Sequence, residues 1–146
     1  MSATTAVKPS LTIKRRFNAP PEKVFAAWSD PEKMKHWMGP AGTKAVRAEC
    51  DPRVGGRYHI KMIMAADEHD VSGVYREIVP NEKLVFTWAW QSTPERDSLV
   101  TVTFKRDGTG TIMTLLHEQF FDEDTRDRHN AGWTGTMDRL EKYLGQ

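Results

Sequence analysis

The sequence predicts an α+β protein in which a curved antiparallel sheet wraps around one long C-terminal helix. Between residues 43 and 120, strand-like segments alternate with short polar turns, and this order favours an antiparallel meander. Residues 122–146 carry apolar side chains at helical spacing, which indicates one amphipathic helix. Because a sheet and a helix that each have one apolar face must bury both, we expect the sheet to curve around the helix.

The N-terminal part of the domain predicts one strand followed by two short helices. Residues 11–17 (LTIKRRF) alternate between their two faces, as expected of a half-buried strand. Pro20 and Pro21 suit the first turn of a helix, because a backbone N–H there has no partner within the helix and proline lacks that N–H. Asp30, which precedes another proline, is typical of the N-cap of a second helix, and Gly39 with the proline after it ends that helix.

Six further strands are predicted after these helices. Their segments are TKAVRAECD, YHIKMIM, VSGVYREIV, LVFTWAW, LVTVTFK and TIMTLLHEQF. Alternation in LVFTWAW puts Phe86, Trp88 and Trp90 on one face and three small side chains on the other. We therefore expect the three rings to point inward, with Trp88 the most enclosed. The segment AADEHD before the third of these strands is interpreted as a polar turn.

The C-terminal helix has a recognisable start and a clear apolar stripe. Asp122 is the predicted N-cap, and acidic residues follow in the first turn, where they suit the helix dipole. Trp133, Met137, Leu140 and Leu144 recur at i, i+4, i+7 and i+11, so they share one face.

Composition limits the classes of function. The 146 residues suffice for one domain, predicted at 10–146 after a flexible tail at 1–9. Lys and Arg number 21 against 20 Asp and Glu, and the absence of a basic run argues against nucleic acid and membrane surfaces as partners. The sequence contains no apolar stretch long enough to predict membrane insertion. The single cysteine, Cys50, allows no intrachain disulfide, which favours a soluble cytoplasmic protein.

Several short segments occur together in one order. They are HWMGP, GGRY, the G-x-Y of the next strand, PNEKLVFTW, SLVTVTF, TLLHEQF and a GW that opens a helical stretch. Together they resemble the START-like superfamily, and within it the AHSA-type branch named after the C-terminal domain of the activator of the heat-shock-protein-90 ATPase. The resemblance covers roughly residues 10–145. It implies the helix-grip fold, with an apolar cavity between sheet and helix.

The resemblance does not imply one function. Proteins of this fold include lipid carriers, polyketide cyclases and plant-hormone receptors. No segment of the sequence resembles the additional N-terminal domain of the eukaryotic co-chaperone, so chaperone activation is the less favoured expectation.

The candidate ligand-binding residues are those that alternation or the resemblance turns toward the predicted cavity. They are Trp37, Tyr58, Met62, Tyr75, Phe86, Trp88, Trp90, Val102, Leu115, His117, His129, Trp133 and Met137. The same side chains would also suit a solid core, and the pattern leaves both interpretations open. Trp37 is interpreted as a plug at one end of the fold.

His117 is the polar residue of most interest, because alternation places it on the inner face with Met113 and Leu115. It suits either a hydrogen-bonded core residue or a polar handle for a ligand, with Arg126 or His129 as its neighbour. Tyr75 is a further candidate for orienting a ligand.

The sequence predicts neither a metal site nor a nucleophilic catalytic residue. The histidines, at 36, 59, 69, 117 and 129, form no close pair at ligand spacing, so neither a metal nor another cofactor is predicted. Glu68 and Asp70, on either side of His69, are interpreted as solvated. Cys50 has no evident histidine partner, and there is no G-x-S-x-G segment.

The favoured hypothesis is a protein that binds a hydrophobic or aromatic small molecule. One alternative is a cyclase- or hydrolase-type enzyme with His117 as acid or base, which predicts a carboxylate or an arginine beside that histidine. Another is a chaperone-interaction module, which predicts an exposed apolar patch. An exposed sheet edge also leaves room for a homodimer.

Overall fold

The computed structural model describes residues 8–145 and confirms the predicted α+β class. The elements in chain order are β1 (Leu11–Phe17), α1 (Pro21–Ser29), α2 (Pro31–Met34), β2 (Ala45–Cys50), β3 (Arg57–Ile63), β4 (Glu68–Val79), β5 (Lys83–Trp90), β6 (Ser98–Asp107), β7 (Gly110–Glu118) and α3 (Glu123–Leu144). Residues 1–7 of the predicted tail and residue 146 lie outside the described part.

The seven strands form one antiparallel sheet in the order β1-β7-β6-β5-β4-β3-β2. β1 extends the meander of β2 to β7 by pairing with β7, with Leu11 opposite His117. β1 and β2 are therefore the two edges of the sheet, and α1 and α2 connect one edge to the other. Dimerisation through either edge stays a prediction.

The predicted helix starts are present. Asp30 Oδ1 accepts a hydrogen bond from the backbone N–H of Glu32 at 2.9 Å, and Asp122 Oδ1 accepts one from Thr125 at 2.8 Å. Each bond satisfies an N–H that has no partner within its own helix. Within residues 8–145, no helix combines the length and the apolar character needed to cross a bilayer.

Helix α3 packs its apolar stripe on the inner face of the sheet, and polar contacts fasten its C-terminal half. Arg15 Nη1 on β1 lies 2.8 Å from Asp138 Oδ1, and Arg139 Nη1 donates to the carbonyl of Met38 at 2.7 Å. Lys23 on α1 donates to the carbonyl of Leu144 at the helix end, over 3.0 Å. These contacts hold one half of α3 tightly against β1, α1 and the segment after α2.

One predicted turn is shorter than expected. The segment AADEHD was expected to be a turn throughout, but β4 begins at Glu68, and the reversal is closed by the N–H of Met64 donating to the carbonyl of Asp67. Glu68 and Asp70 are strand residues that pair with Ile63 and Lys61 of β3. The hydrogen-bond ladder with β3 overrides the weak strand preference of these polar residues.

Gly73 explains the glycine of the G-x-Y segment. A Cβ at this position would lie 1.9 Å from the backbone oxygen of Thr87 on β5 and 2.7 Å from the ring of Tyr58. The Tyr58 hydroxyl donates to that same oxygen of Thr87, so the ring crosses β4 where a side chain would otherwise stand. Only glycine permits this crossing.

We predict that Gly73→Ala lowers the free energy of unfolding by about 3 kcal/mol, because the added methyl group forces β4 and β5 apart. Urea denaturation measures the loss. The matched control is Ser72→Ala, an exposed change on the neighbouring residue, which should stay within about 0.5 kcal/mol of the parent. Equal midpoints for both variants would show that the strands are not this close at Gly73.

Candidate ligand-binding cavity

An open cavity of about 740 Å³ lies between the N-terminal half of α3 and the inner face of the sheet. Its apolar wall is formed mainly by large side chains: Met38, Met62, Trp88, Trp90, Phe120 and Trp133. Its polar wall includes Glu68, His69 and Asp70 at the start of β4, the loop residues Gln91, Ser92, Thr93 and Arg96, and Thr125, Arg128 and His129 on α3. The volume is of the size that small-molecule sites have.

Two glycines on α3 have different surroundings. A Cβ on Gly132 would meet no atom within 4 Å, and Gly132 belongs to the cavity wall. A Cβ on Gly135 would lie 3.0 Å from the backbone nitrogen of Ala41, so Gly135 allows the helix to approach the segment after α2. The cavity is therefore open where α3 has no side chain at Gly132.

All five tryptophans of the sequence form one continuous chain of rings. The centroid distances are 4.8 Å for Trp37–Trp28, 5.9 Å for Trp28–Trp133, 5.0 Å for Trp133–Trp88 and 5.5 Å for Trp88–Trp90. This series of rings begins in the packed end of the fold, near α1 and α2, and its last three rings lie in the cavity wall.

His117 is completely buried and both of its ring nitrogens are hydrogen-bonded. The indole N–H of Trp133 donates to His117 Nδ1 at 2.9 Å, so Nδ1 carries no proton. The proton is therefore on Nε2, which donates to Ser98 Oγ at 2.7 Å, and the serine hydroxyl donates to the carbonyl of Trp88 at 3.0 Å. Every hydrogen bond in this series has a fixed direction.

The protonation state of His117 follows from its surroundings. Burial, followed by the nearby His129, holds the pKa of His117 well below its usual value, so the ring is neutral near pH 7. The distance to Ser98 resembles that of a serine nucleophile and its histidine base. A base must accept the serine proton, whereas His117 donates to this serine. Its hydrogen-bonding pattern is that of a structural residue.

His129 forms a second connection between α3 and the sheet, at the cavity mouth. The indole N–H of Trp90 donates to His129 Nε2 at 2.8 Å, and Nδ1–H donates to the carbonyl of Thr125 at 2.8 Å. Burial lowers the pKa of His129; the bond to Thr125 opposes this shift and Arg128 adds to it.

Five of the thirteen predicted site residues lie in the cavity wall: Met62, Trp88, Trp90, His129 and Trp133. The other eight lie outside it: Trp37, Tyr58, Tyr75, Phe86, Val102, Leu115, His117 and Met137. All eight are buried in the core, where the rings of Tyr58 and Phe86, for example, pack edge to face at 5.5 Å. The inward direction of these side chains is as predicted, but they pack behind the cavity.

Two predicted residues have specific alternative roles. Trp37 is fully buried and donates its indole N–H to the carbonyl of Ala27 at 3.1 Å, which fastens the segment after α2 to α1. Arg126, expected near His117, lies 3.0 Å from Asp127 on the surface.

Within the described residues, no three His, Cys, Asp or Glu side chains come together as a metal site requires.

Sequence reasoning missed much of the α3 wall. The wall residues on this helix are Thr125, Arg128, His129, Gly132, Trp133 and Thr136. They recur at i, i+3, i+4, i+7, i+8 and i+11, which is a regular helical face. A search for apolar periodicity passes over this face, because most of its members are small or polar.

Residues 18–145 match the family described as "Activator of Hsp90 ATPase homolog 1-like protein". The human protein named activator of 90 kDa heat shock protein ATPase homolog 1 is 25% identical over 125 residues, which are 84% of this chain and 33% of the human protein. The chain thus spans about a third of the length of the curated relative that it matches.

Solved structures agree with this match. The AHSA1 protein of Silicibacter pomeroyi superposes with a TM-score of 0.81 and is 27% identical, over 94% of this chain and 98% of that one. A protein of Chromobacterium violaceum gives 0.82 at 24% identity, over 94% and 97% of the two chains. CalU16 of Micromonospora echinospora gives 0.72 at 24% identity, over 92% and 75%. The predicted helix-grip fold is thereby confirmed.

We predict that the free energy of unfolding falls as the pH is lowered below about 6.5, the usual histidine value. The folded-state pKa values of His117 and His129 are lowered, so the unfolded chain binds more protons in this window. The free energy of unfolding is therefore highest above about pH 6.5. It falls as the pH is lowered toward the folded-state pKa values, by up to about 1.4 kcal/mol per pH unit for each histidine. Urea denaturation at a series of pH values measures the slope.

His117→Gln tests the assignment of this slope, because glutamine offers an acceptor and a donor but does not titrate. The slope below about pH 6.5 should become shallower. Ser72→Ala, an exposed change at a residue that does not titrate, is the control and should leave the slope unchanged. An unchanged slope in His117→Gln would contradict the burial of a neutral imidazole at this position.

We also predict that Gly132→Ala raises the free energy of unfolding by about 1 kcal/mol, the difference in helix propensity between the two residues. At Gly135 the same change crowds Ala41, which offsets that gain, so stability should stay level or fall. Thermal and urea denaturation of both variants measure the difference. An equal gain at the two positions would show that α3 is equally free of neighbours at both.

Proposed function

The chain belongs to the family of activator of Hsp90 ATPase homolog 1-like proteins, and we propose that it binds an apolar or aromatic small molecule in the cavity beside Gly132. The observation that carries this proposal is the open space of about 740 Å³ between α3 and the sheet, at the one wall residue of that helix that lacks a side chain.

The character of the wall supports this proposal. Trp88 and Trp133 present two large rings 5.0 Å apart, and Met62 supplies a flexible apolar surface beside them. Burial of a ligand against such a wall contributes roughly 2.5 kcal/mol for each 100 Å² of apolar surface removed from water. We propose that most of the affinity comes from this burial.

Polar groups at the mouth are proposed to orient the ligand. His117 was the expected handle, but both of its ring nitrogens already have partners in the protein. The proposed handles are instead side chains of the loop after β5, where Gln91 and Ser92 are exposed and belong to the wall. Selectivity would then arise at the mouth, and affinity in the interior.

The two alternative functions are less well supported. For catalysis, the groups bonded to the ring of His117 are Ser98 and Trp133, neither of which is a carboxylate or an arginine. The human relative is named for activating the ATPase of a 90 kDa heat shock protein, which would require a surface for that partner. Among the described residues, the large apolar side chains that are exposed are Val54, at 64%, and Phe121, at 57%. They belong to different connections, and Phe121 is part of the cavity mouth.

The experiment fills the cavity from within. In Gly132→Leu the new side chain points into the open space, so the protein should fold normally and lose saturable binding of hydrophobic ligands. A library of hydrophobic and aromatic metabolites would first be screened on the parent protein by tryptophan quenching and thermal shift. Affinity for the best ligand should then fall by about a hundredfold or more in Gly132→Leu, because the site is sterically occupied.

Ala131→Leu is the matched control, because it adds the same side chain one residue earlier, on the exposed side of α3. This variant should bind like the parent. Equal affinity in Gly132→Leu and Ala131→Leu would place the ligand elsewhere and would refute the proposed site. A parent protein that binds no member of the library saturably would refute the proposed function.

A further inference from the structure

The segments around the cavity mouth carry a concentrated negative charge. These segments are residues 67–70, 91–97 and 119–129, and each contributes residues to the cavity wall. Together they contain nine Asp and Glu against three Arg, a net charge of −6 with histidine neutral, whereas the whole chain has a net charge of +1. Lys61, 3.9 Å from Glu68, and Lys8, beside the loop after β5, reduce the excess to four carboxylates. The segments around the mouth therefore contribute a net negative charge to this end of the molecule.

The two cations of the wall are already occupied by protein groups. Arg128 Nε lies 3.2 Å from Asp124 Oδ2. The guanidinium of Arg96 lies 3.8 Å from the centroid of the Phe121 ring, where the negative face of the ring stabilises it. Each arginine thus has a partner within the protein, and Arg96 shows that the mouth accommodates a cation against an aromatic face.

Each of the two acids of the wall lies beside a basic residue of β3 and keeps carboxylate oxygens that make no hydrogen bond with the described residues. Asp70 accepts a hydrogen bond from His59 Nε2 at 2.8 Å through one oxygen, Oδ1, which leaves its second oxygen unbonded to protein groups. The Nζ of Lys61 is 3.9 Å from Glu68, a distance too long for a hydrogen bond. Beyond these acids the cavity continues into the rings of Trp88, Trp90 and Trp133.

We propose that the ligand of this cavity is a cationic amphiphile, with an aromatic or apolar body against the tryptophans and a protonated amine or quaternary ammonium at the mouth. The rings stabilise such a cation through their negative faces, and Glu68 and Asp70 stabilise it by charge. This inference rests on the proposed binding function and adds the charge of the ligand.

The test uses three fluorescent probes that share one body and differ in the terminal group: pyrenebutylamine, pyrenebutanol and pyrenebutyrate. Pyrene accepts energy from tryptophan, so transfer from the indoles and pyrene anisotropy both report binding. At low salt, the amine should bind about tenfold more tightly than the acid, with the alcohol between them. Added salt should narrow the difference, because exposed charges are screened.

Two double variants separate a local effect from net charge. Glu68→Gln with Asp70→Asn removes the wall carboxylates and keeps an acceptor for His59, so the preference for the amine over the acid should fall about threefold or more. Glu49→Gln with Glu141→Gln removes two exposed carboxylates outside the wall and should keep the preference. Gly132→Leu should lose all three probes if they occupy this cavity.

Each outcome decides a different statement. The order amine, alcohol, acid, lost only in the variant of the wall carboxylates, supports the proposed cationic ligand. Equal affinities, or tightest binding of the acid, would overturn the charge assignment and leave the binding function in place. If none of the probes bound the parent protein saturably, both the binding function and the charge assignment would be refuted.

Discussion

The hydrogen bond from the indole of Trp133 to His117 sets the spacing between α3 and the sheet. It continues through Ser98 to the carbonyl of Trp88, so one series of buried polar contacts connects the helix with β7, β6 and β5. Breaking one member would leave buried polar groups unpaired, at about 1–3 kcal/mol each. Behind this series the interior is packed, and in front of it the cavity begins.

The C-terminal half of α3 is fastened to the rest of the protein, and its N-terminal half lies over the cavity. Its C-terminal half is fastened by Arg139 and by the contact between Arg15 and Asp138. Its N-terminal half has Gly132 over an open space and connects with the sheet through Trp90 and His129. An open cavity forgoes dispersion contacts that a packed interior would have.

The fold followed from local patterns, and the cavity wall did not. Alternation in LVFTWAW predicted the inward direction of Trp88, because strand geometry fixes which face each residue occupies. The same alternation does not say how deep a side chain lies, so Phe86 was expected in the wall although it packs behind it. Thr125 and Arg128 were missed as wall residues because a polar side chain gives no apolar signal. Depth is decided by tertiary packing between elements that are distant in sequence.

The continuous row of indoles gives the molecule an unusual optical property. At separations of about 5–6 Å between ring centroids, excitation absorbed by one tryptophan passes readily to the next. Light absorbed at Trp37, in the closed end, can therefore leave the molecule as emission from another indole of the row, because transfer between identical rings runs in both directions. The intrinsic emission therefore reports on the row of indoles as a unit, and coupled indole transitions should mark the native fold in circular dichroism.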